Sequence, residues 1–311
     1  MIKNIKIILL ISLIAILMNC SNDQTYDTYK IFGDKDNEGF NPIWYTSGEY
    51  IVFDYDGTLS DYCAIAKIDL DGKNLEIIYE PDFRLTDISD DGYILGSSET
   101  SYNKFYIYYY KPYENPVITS IEGKYPTIYG NLSGKYNIAY LYDDNPDTDG
   151  WSIYLCDING SPPKKLIGES DYYNPNFSSD GSKIVYYKLS ESSVTELHYS
   201  YLCVYDLYKG KEEIIRTTKN NCSVQSPKFS PDDKYIAFAE SDWDKYQDPH
   251  EVVWLIGADG YNPHSITRYP YDPGLETIGT TYLSWSPDGK WIVYDLQGFY
   301  GFELWKMRVF E

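Results

Sequence analysis

The chain has 311 residues, of which 17% are aromatic, and it carries a formal net charge of −21 at pH 7. So large a negative charge argues against nucleic-acid binding, because that binding depends on Lys and Arg side chains that neutralise phosphates. Tyrosine, with 36 copies, favours strands, and a single all-β domain can reach this length. We therefore expect an all-β protein that is long enough to bury a core.

The first twenty residues, MIKNIKIILLISLIAILMNC, form a basic and then apolar leader. Its apolar run from Ile7 to Met18 is too short to span a bilayer comfortably and is typical of a signal-peptide core. The run ends at Cys20 and resembles a bacterial lipoprotein signal, although Asn19 departs from the usual small residue before the cysteine. The resemblance implies cleavage before Cys20 and a lipid on its thiol. An ordinary secretory signal and an uncleaved anchor are the alternatives.

Four further cysteines follow the leader, at Cys63, Cys156, Cys203 and Cys222. They show no common spacing and no CxxC pair, so a zinc ribbon or a thioredoxin-type site is not expected. Cys156 and Cys203 lie in apolar runs that resemble strands, where buried free thiols are the commoner state. A disulfide stays open as an alternative.

One pattern recurs six times in the remaining chain, and SWSPDGKWIVYDL (284–296) is its clearest copy. Each copy has a short strand with an aromatic residue or Ile, then a turn rich in Asp and Gly, then a strand rich in β-branched and aromatic residues. Asp and Gly tolerate the positive φ that a tight hairpin needs. The turns are centred on Gly48, Gly92, Gly134, Gly181, Asp233 and Gly289.

A second strand–turn–strand element follows these hairpins, as in IAKIDLDGKNLEIIY (65–79). Each repeat then holds four strands, which indicates a β-propeller of six four-stranded antiparallel blades. The last repeat lacks one strand, and we expect the run from Tyr29 to Phe32 to supply it and so remove an exposed sheet edge. A β-sandwich is the alternative. We predict a signal peptide over 1–19, a short tether over 20–26 and one propeller domain over 27–311.

The segments SPDGKWIVY, SPDDKYIAF and WLIGADG resemble the WD-like propeller repeats of the TolB family, and prolyl oligopeptidases use related blades. The resemblance covers roughly residues 27–311 and implies a six-bladed propeller. TolB proteins carry a sizeable domain ahead of the propeller. Only about seven residues separate Cys20 from the first predicted strand, so we expect no such domain here, and docking with Pal and colicins is not implied.

Loops between blades, and loops between second and third strands, share one face of a propeller. Loops on a rigid scaffold commonly carry binding, and here they mix aromatic residues with carboxylates. An exposed ring beside a carboxylate suits a sugar face, a peptide or a cation, whereas a ring that packs on a neighbouring blade is structural. The predicted partner-binding residues are Trp243, Asp244, Tyr246, Trp151, Asp147, Asp149, Tyr172, Tyr173, Phe299 and Tyr300.

The loop DDNPDTDGW (143–151) is a weak calcium candidate through Asn145, Asp147 and Asp149. A solvated loop is favoured, because Cys156 stands where an EF-hand needs an acidic residue. The three histidines form no metal-binding cluster in the sequence, and no motif of a serine hydrolase, zinc protease or phosphate loop occurs. We therefore expect no cofactor.

The sequence favours a monomeric, lipid-anchored binding or scaffold protein of the bacterial cell envelope, held on a membrane through Cys20. Its loop face would bind an envelope protein or a glycan. The rival hypothesis is a carbohydrate-active enzyme, a glycosidase or lyase, with catalytic carboxylates in the central funnel. A structural ring without a small ligand is a third possibility.

Overall fold

The structure is a computed structural model that describes thirteen stretches of the chain. These are residues 26–60, 63–80, 84–100, 104–135, 137–144, 150–159, 162–170, 172–189, 199–218, 222–242, 252–267, 282–298 and 301–310. Regular structure in these stretches consists of strands, and no helix long and apolar enough to cross a membrane is found among them. The leader and Cys20 lie outside the described residues.

Twenty-four strands form six antiparallel sheets of four strands each, which we call blades 1 to 6. In blades 1 to 5 the strands follow chain order across the sheet. Blade 1 contains β2 (Asn37–Trp44), β3 (Tyr50–Gly57), β4 (Ala64–Asp69) and β5 (Glu76–Tyr79). Blade 2 contains β6 (Arg84–Ile88), β7 (Ile94–Thr100), β8 (Lys104–Tyr110) and β9 (Val117–Glu122). Blade 3 contains β10 (Lys124–Ile128), β11 (Ile138–Tyr142), β12 (Trp151–Cys156) and β13 (Lys164–Ser170).

The second half of the chain repeats this arrangement. Blade 4 contains β14 (Tyr172–Phe177), β15 (Lys183–Leu189), β16 (Ser200–Asp206) and β17 (Lys211–Thr217). Blade 5 contains β18 (Cys222–Phe229), β19 (Tyr235–Asp242), β20 (Val252–Gly257) and β21 (His264–Ser265). Blade 6 contains β22 (Leu283–Trp285), β23 (Trp291–Gly298), β24 (Gly301–Arg308) and, from the start of the chain, β1 (Thr28–Phe32). The prediction of an all-β, six-bladed propeller of four-stranded blades is confirmed.

Blade 6 joins the two ends of the described chain. Strand β1 pairs antiparallel with β24, with Thr28 opposite Met307 and Lys30 opposite Trp305. The Ile31 side chain is only 8% exposed and packs in a cluster that also contains Leu304. This pairing covers the edge of β24, which would otherwise present unpaired backbone groups.

The six hairpin turns share one backbone hydrogen bond. The amide of the central turn residue donates to the carbonyl oxygen three residues earlier, at 2.8–3.0 Å, in Gly48, Gly92, Gly134, Gly181, Asp233 and Gly289. Five of these residues have positive φ, as the sequence pattern predicts. Blade 3 differs, because its longer turn places the positive φ at Gly130 instead of Gly134.

The core consists of six apolar layers, one between each pair of neighbouring blades. In β3, the side chains of Ile51 and Phe53 pack in the layer shared with blade 6, whereas Val52 packs in the layer shared with blade 2. Both faces of this part of the strand are therefore buried, and residues 51–53 are continuously apolar instead of alternating. Cys156 and Cys203 are buried free thiols in two of these layers, and Cys63 is a half-buried free thiol.

Candidate functional site at the mouth of the central channel

The first strands of the blades surround a central channel, which holds a cavity of about 380 Å³. Its lining comes mainly from these inner strands, together with Ser97 from a second strand and Phe105 and Phe302 from the starts of two third strands. These positions adjoin the loops between blades and the loops between second and third strands. The cavity therefore opens on the face that carries those loops, which we call the loop face. The hairpin turns lie on the opposite face, the turn face.

Four inner strands carry the same local irregularity where they line the cavity. Each has a non-glycine residue with positive φ directly before a proline, at Asn41 (58°), Tyr125 (52°), Asn174 (48°) and Ser226 (45°). The pairing register with the second strand shifts across each of these positions. The proline that follows excludes the right-handed helical region for these residues, and a bulky residue such as Tyr125 rarely adopts the left-handed one. Backbone strain of this kind clusters at ligand-binding sites.

The described residues that line the cavity carry positive charge, whereas the chain as a whole is negatively charged. The chain has 47 Asp and Glu against 26 Lys and Arg. The cavity is nevertheless lined by Arg84, Lys124 and Lys228, and no Asp or Glu lies among its described lining residues. A ligand at the mouth of the channel therefore meets positive charge on an acidic protein.

Three aromatic rings surround the Lys124 ammonium group. Its Nζ lies 3.4 Å from the ring centroid of Trp151, 5.1 Å from that of Phe105 and 5.7 Å from that of Tyr125. Burial lowers the pKa of Lys124, and the charges of Asp143 and Glu99 oppose this effect. Within the described residues, no carboxylate lies close enough to form an ion pair with Lys124. The rings hold the cation in place by cation–π attraction.

Arg84 lies at the start of β6, where its side chain is 58% exposed. The guanidinium carbon lies 4.9 Å from the ring centroid of Phe40, and Nη1 donates to the Cys63 sulfur at 3.1 Å. Nη1 is also 4.0 Å from Oδ2 of Asp54. More than half of the side-chain surface of Arg84 is exposed, and the residue lines the cavity.

Two fully buried carboxylates lie behind the channel wall, and they do not line the cavity. Asp54 accepts hydrogen bonds from the Leu85 amide at 3.2 Å and from Nδ2 of Asn41 at 3.0 Å. Asp295 accepts from the Asn41 amide at 3.1 Å and from the Tyr282 amide at 2.9 Å. Burial raises the pKa of Asp54 to about 7. Each carboxylate thus holds the inner strand of the following blade in its irregular shape.

Sequence reasoning missed Arg84, Lys124 and these two aspartates. The sequence does carry a signal for the aspartates, since Asp54 in IVFD and Asp295 in IVYD directly follow the same apolar run in two repeats. A charged residue in a strand that is buried on both faces needs hydrogen-bond partners. No comparable sequence signal marks Arg84 and Lys124, because they come close together only when the blades assemble into the propeller.

Two of the predicted binding residues have described side chains. Trp151 is half-buried, packs against the apolar layer between blades 3 and 4, and contacts Lys124 at the channel. Tyr173 is half-buried and stacks on Tyr187 with ring centroids 5.1 Å apart. Tyr172 lies in β14, and its side chain is outside the described residues. The others, which also lie outside them, are Trp243, Asp244, Tyr246, Asp147, Asp149, Phe299 and Tyr300.

The described residues contain no group of three or more His, Cys, Asp and Glu side chains that could hold a metal ion. The calcium candidate formed by Asn145, Asp147 and Asp149 lies outside them. The prediction for that loop therefore stays a prediction.

No protein-family model matches this chain, and no curated protein matches it significantly. Among solved structures, the chain is similar to a putative TolB from Agrobacterium tumefaciens, with a TM-score of 0.61, 20% identity, and coverage of 92% of this chain and 98% of that one. TolB from Acinetobacter baumannii gives a TM-score of 0.56 and 18% identity. The match covers 74% of this chain and 54% of that one. An oligogalacturonate lyase from Vibrio parahaemolyticus gives a TM-score of 0.54 and 12% identity, with coverage of 92% and 98%.

These identities establish a shared fold and nothing finer. The predicted resemblance to TolB-like propellers is confirmed at the level of the fold. The same architecture also carries an enzyme, the oligogalacturonate lyase. Function must therefore be argued from the site of this chain.

Proposed function

We propose that this protein is a lipid-anchored binding protein of the bacterial cell envelope, and that the mouth of its channel holds a protein or glycan partner. The observation that carries the proposal is the cavity of about 380 Å³ on the loop face, lined by aromatic rings and cations. A concave site with convergent polar groups on a rigid scaffold is the usual form of a ligand site. The TolB-like fold supports a binding scaffold in general terms.

A carbohydrate-active enzyme is the second candidate, because the pKa of Asp54 is raised to about 7. Perturbed carboxylates near a cavity are candidates for general acids. Against this role, Asp54 is fully buried, and both of its oxygens accept structural hydrogen bonds, one from Asn41 in the same blade and one from the Leu85 amide in the next. A general acid must instead reach the substrate. Binding without chemistry is therefore the better-supported proposal.

The binding proposal is tested by comparing two aromatic substitutions on opposite faces of the full-length protein in detergent. Phe302→Ala removes a ring from the channel mouth, and Tyr208→Ala removes a ring that is 86% exposed in the turn between β16 and β17. We expect Phe302→Ala to reduce the recovery of envelope proteins or glycans on the immobilised protein, and Tyr208→Ala to leave it unchanged. Equal recovery by both variants would contradict the proposal. Cleavage of any bound glycan would favour the enzyme.

The membrane anchor is tested separately by fractionating cells that express the full chain. Cys20→Ser should move the protein from the membrane fraction to the soluble fraction, because acyl chains on Cys20 supply the membrane affinity. The neighbouring Ser21→Ala leaves the thiol in place and should stay in the membrane fraction. A Cys20→Ser variant that remains with the membranes would refute lipidation at this residue.

A further inference from the structure

We propose that the ligand of the channel mouth is an acidic saccharide, whose carboxylates pair with Lys124 and Arg84. This inference rests on the binding function proposed above and narrows its partner to one chemical class. Three observations carry it: the sign of the charge in the cavity, the aromatic rings beside the cations, and the prolines in the channel wall.

The charge of the site selects an anion. Three cations and no described carboxylate line a cavity in a chain of net charge −21, so the local sign is opposite to that of the surface as a whole. An acidic surface repels anions at long range, but the repulsion is screened beyond about 10 Å at moderate salt. The charged side chains that line the cavity itself are those of Arg84, Lys124 and Lys228. Arg84 also offers a planar fork of donors that matches a carboxylate.

The position of the Lys124 ammonium, half-buried among aromatic rings, favours binding of a negatively charged group. It is half-buried among Trp151, Phe105 and Tyr125, and no described carboxylate pairs with it. The charges of Asp143 and Glu99 act on this half-buried ammonium, but no described carboxylate lies within ion-pair distance of it, so an incoming carboxylate that contacts it directly gains affinity.

The aromatic rings favour a saccharide. Phe40 stacks with Arg84 and lies 5.8 Å from Phe302, between ring centroids, so cation and flat apolar surface occur side by side. Sugar rings present apolar C–H faces to such surfaces and polar groups at their edges. An acidic sugar offers both features within one unit.

The prolines argue against an acidic peptide. Peptides that bind to an exposed sheet edge do so through backbone hydrogen bonds along the strand. Pro42, Pro126, Pro175 and Pro227 each remove one amide donor from the channel wall, since proline has no N–H. Four of the six inner strands therefore lack a backbone donor for a peptide at the level of the cavity. The wall is better suited to a ligand that is recognised through its charges and ring faces.

The experiment measures binding of defined probes to the full-length protein in detergent by isothermal titration calorimetry. The acidic probes are trimers of galacturonate, mannuronate and glucuronate. The methyl ester of trigalacturonate keeps the sugar rings and removes the charge, and triglutamate represents an acidic peptide. We expect at least one acidic trimer to bind in a salt-sensitive manner. For galacturonate, we expect its ester to bind about tenfold or more weakly, the factor that loss of a charged hydrogen bond predicts.

Variants of the two cations complete the test. Lys124→Met keeps the apolar stem among the rings, and Arg84→Gln alters an exposed side chain, so at least one of them should fold as the parent does. Each should weaken binding of the best acidic trimer by about tenfold or more. Lys211→Gln, in the outer strand β17, removes an exposed cation far from the channel and should leave the affinity unchanged.

The outcomes separate this inference from the proposed function. If no acidic trimer binds, or if the two channel variants bind as tightly as the parent, the inference is wrong. Equal binding of an acid and its ester would also overturn it, but would leave glycan binding intact. Tighter binding of triglutamate than of every acidic trimer would replace the saccharide with a peptide. In that case the loss of partner capture in Phe302→Ala would still support the binding function.

Discussion

The backbone amide of Asn41 in blade 1 donates a hydrogen bond of 3.1 Å to the carboxylate of Asp295 in blade 6, 254 positions away in sequence. Asp54 has the equivalent role in the next blade, where its carboxylate accepts from the Leu85 amide at 3.2 Å. In both cases a carboxylate in the middle of a second strand accepts a hydrogen bond from the inner strand of the following blade. The channel wall is therefore shaped by contacts between blades.

Asp295→Ala should lower the stability of the protein substantially. The substitution leaves the amides of Asn41 and Tyr282 without their acceptor. Because a buried donor without an acceptor costs about 1–3 kcal/mol, we expect a loss of about 2 kcal/mol or more in the free energy of unfolding. Denaturant unfolding measures it. Asp71→Ala, in an exposed turn, is the control and should change stability by less than about 0.5 kcal/mol. Equal effects would mean that Asp295 does not support the wall.

Asp54 should make stability depend on pH. Burial raises the pKa of Asp54 to about 7 in the folded protein, against about 3.9 in the unfolded chain. Between these values the folded state binds a proton that the unfolded state has lost. The contribution of this group to stability is therefore complete below about pH 4 and disappears as the pH rises through about 7.

Asp54→Asn cannot take up this proton. The unfolding free energy of the variant minus that of the parent should therefore increase, in favour of the variant, from about pH 5 to about pH 8. Denaturant unfolding at several pH values measures the difference. Asp71→Asn is the control, because the pKa of Asp71 is lowered by its hydrogen bond with Lys73 and the group stays ionised throughout this range. A flat difference for Asp54→Asn would mean that Asp54 is already charged in the folded protein at pH 5.

The fold was readable from the sequence because its signals are local and repeated. The turn at Gly289 needs a residue that tolerates positive φ, and the repeat places Gly or Asp at all six equivalent positions, five of which have positive φ. The strands between turns are apolar on both faces, as blades packed on two neighbours require. Blade 3 differs from the predicted turn geometry, because its longer turn has the positive φ at Gly130 and not at Gly134.

The site was much less readable, because it forms only when the ring assembles. Lys124 and Trp151 are separated by 27 positions and meet because both lie at the loop-face ends of strands in blade 3. Arg84 comes from another blade, and its neighbours Cys63 and Phe40 belong to blade 1. Of the aromatic residues predicted from the loops, Trp151 contacts Lys124 at the channel. The cations could be identified only once the inner strands were placed side by side.

Alanine substitutions at two turn glycines should differ in their cost. Gly181 and Gly289 have φ of 67° and 70°, so alanine is strained at both by about 1–2 kcal/mol. At Gly181 the new Cβ would lie within 2.4 Å of the Tyr129 ring, whereas at Gly289 the nearest atom belongs to Pro231, 3.6 Å away. We expect Gly181→Ala to lower the thermal unfolding midpoint clearly more than Gly289→Ala. Similar midpoints would show that the Tyr129 ring moves aside freely.

Ile31→Ala should weaken the pairing of the two ends of the chain. Ile31 is 8% exposed and packs with Leu304 in the layer between blades 6 and 1. Truncating a buried Ile to Ala costs about 2–5 kcal/mol, and the loss should appear in denaturant unfolding of the full chain. Thr28→Ala is the matched control in the same strand, because the Thr28 side chain is exposed and its backbone pairing with Met307 is kept. If both variants unfold at the parent midpoint, β1 contributes nothing to the stability of the ring. If only Ile31→Ala is destabilised, the side chain that faces the layer, and not the exposed one, secures the N-terminal strand.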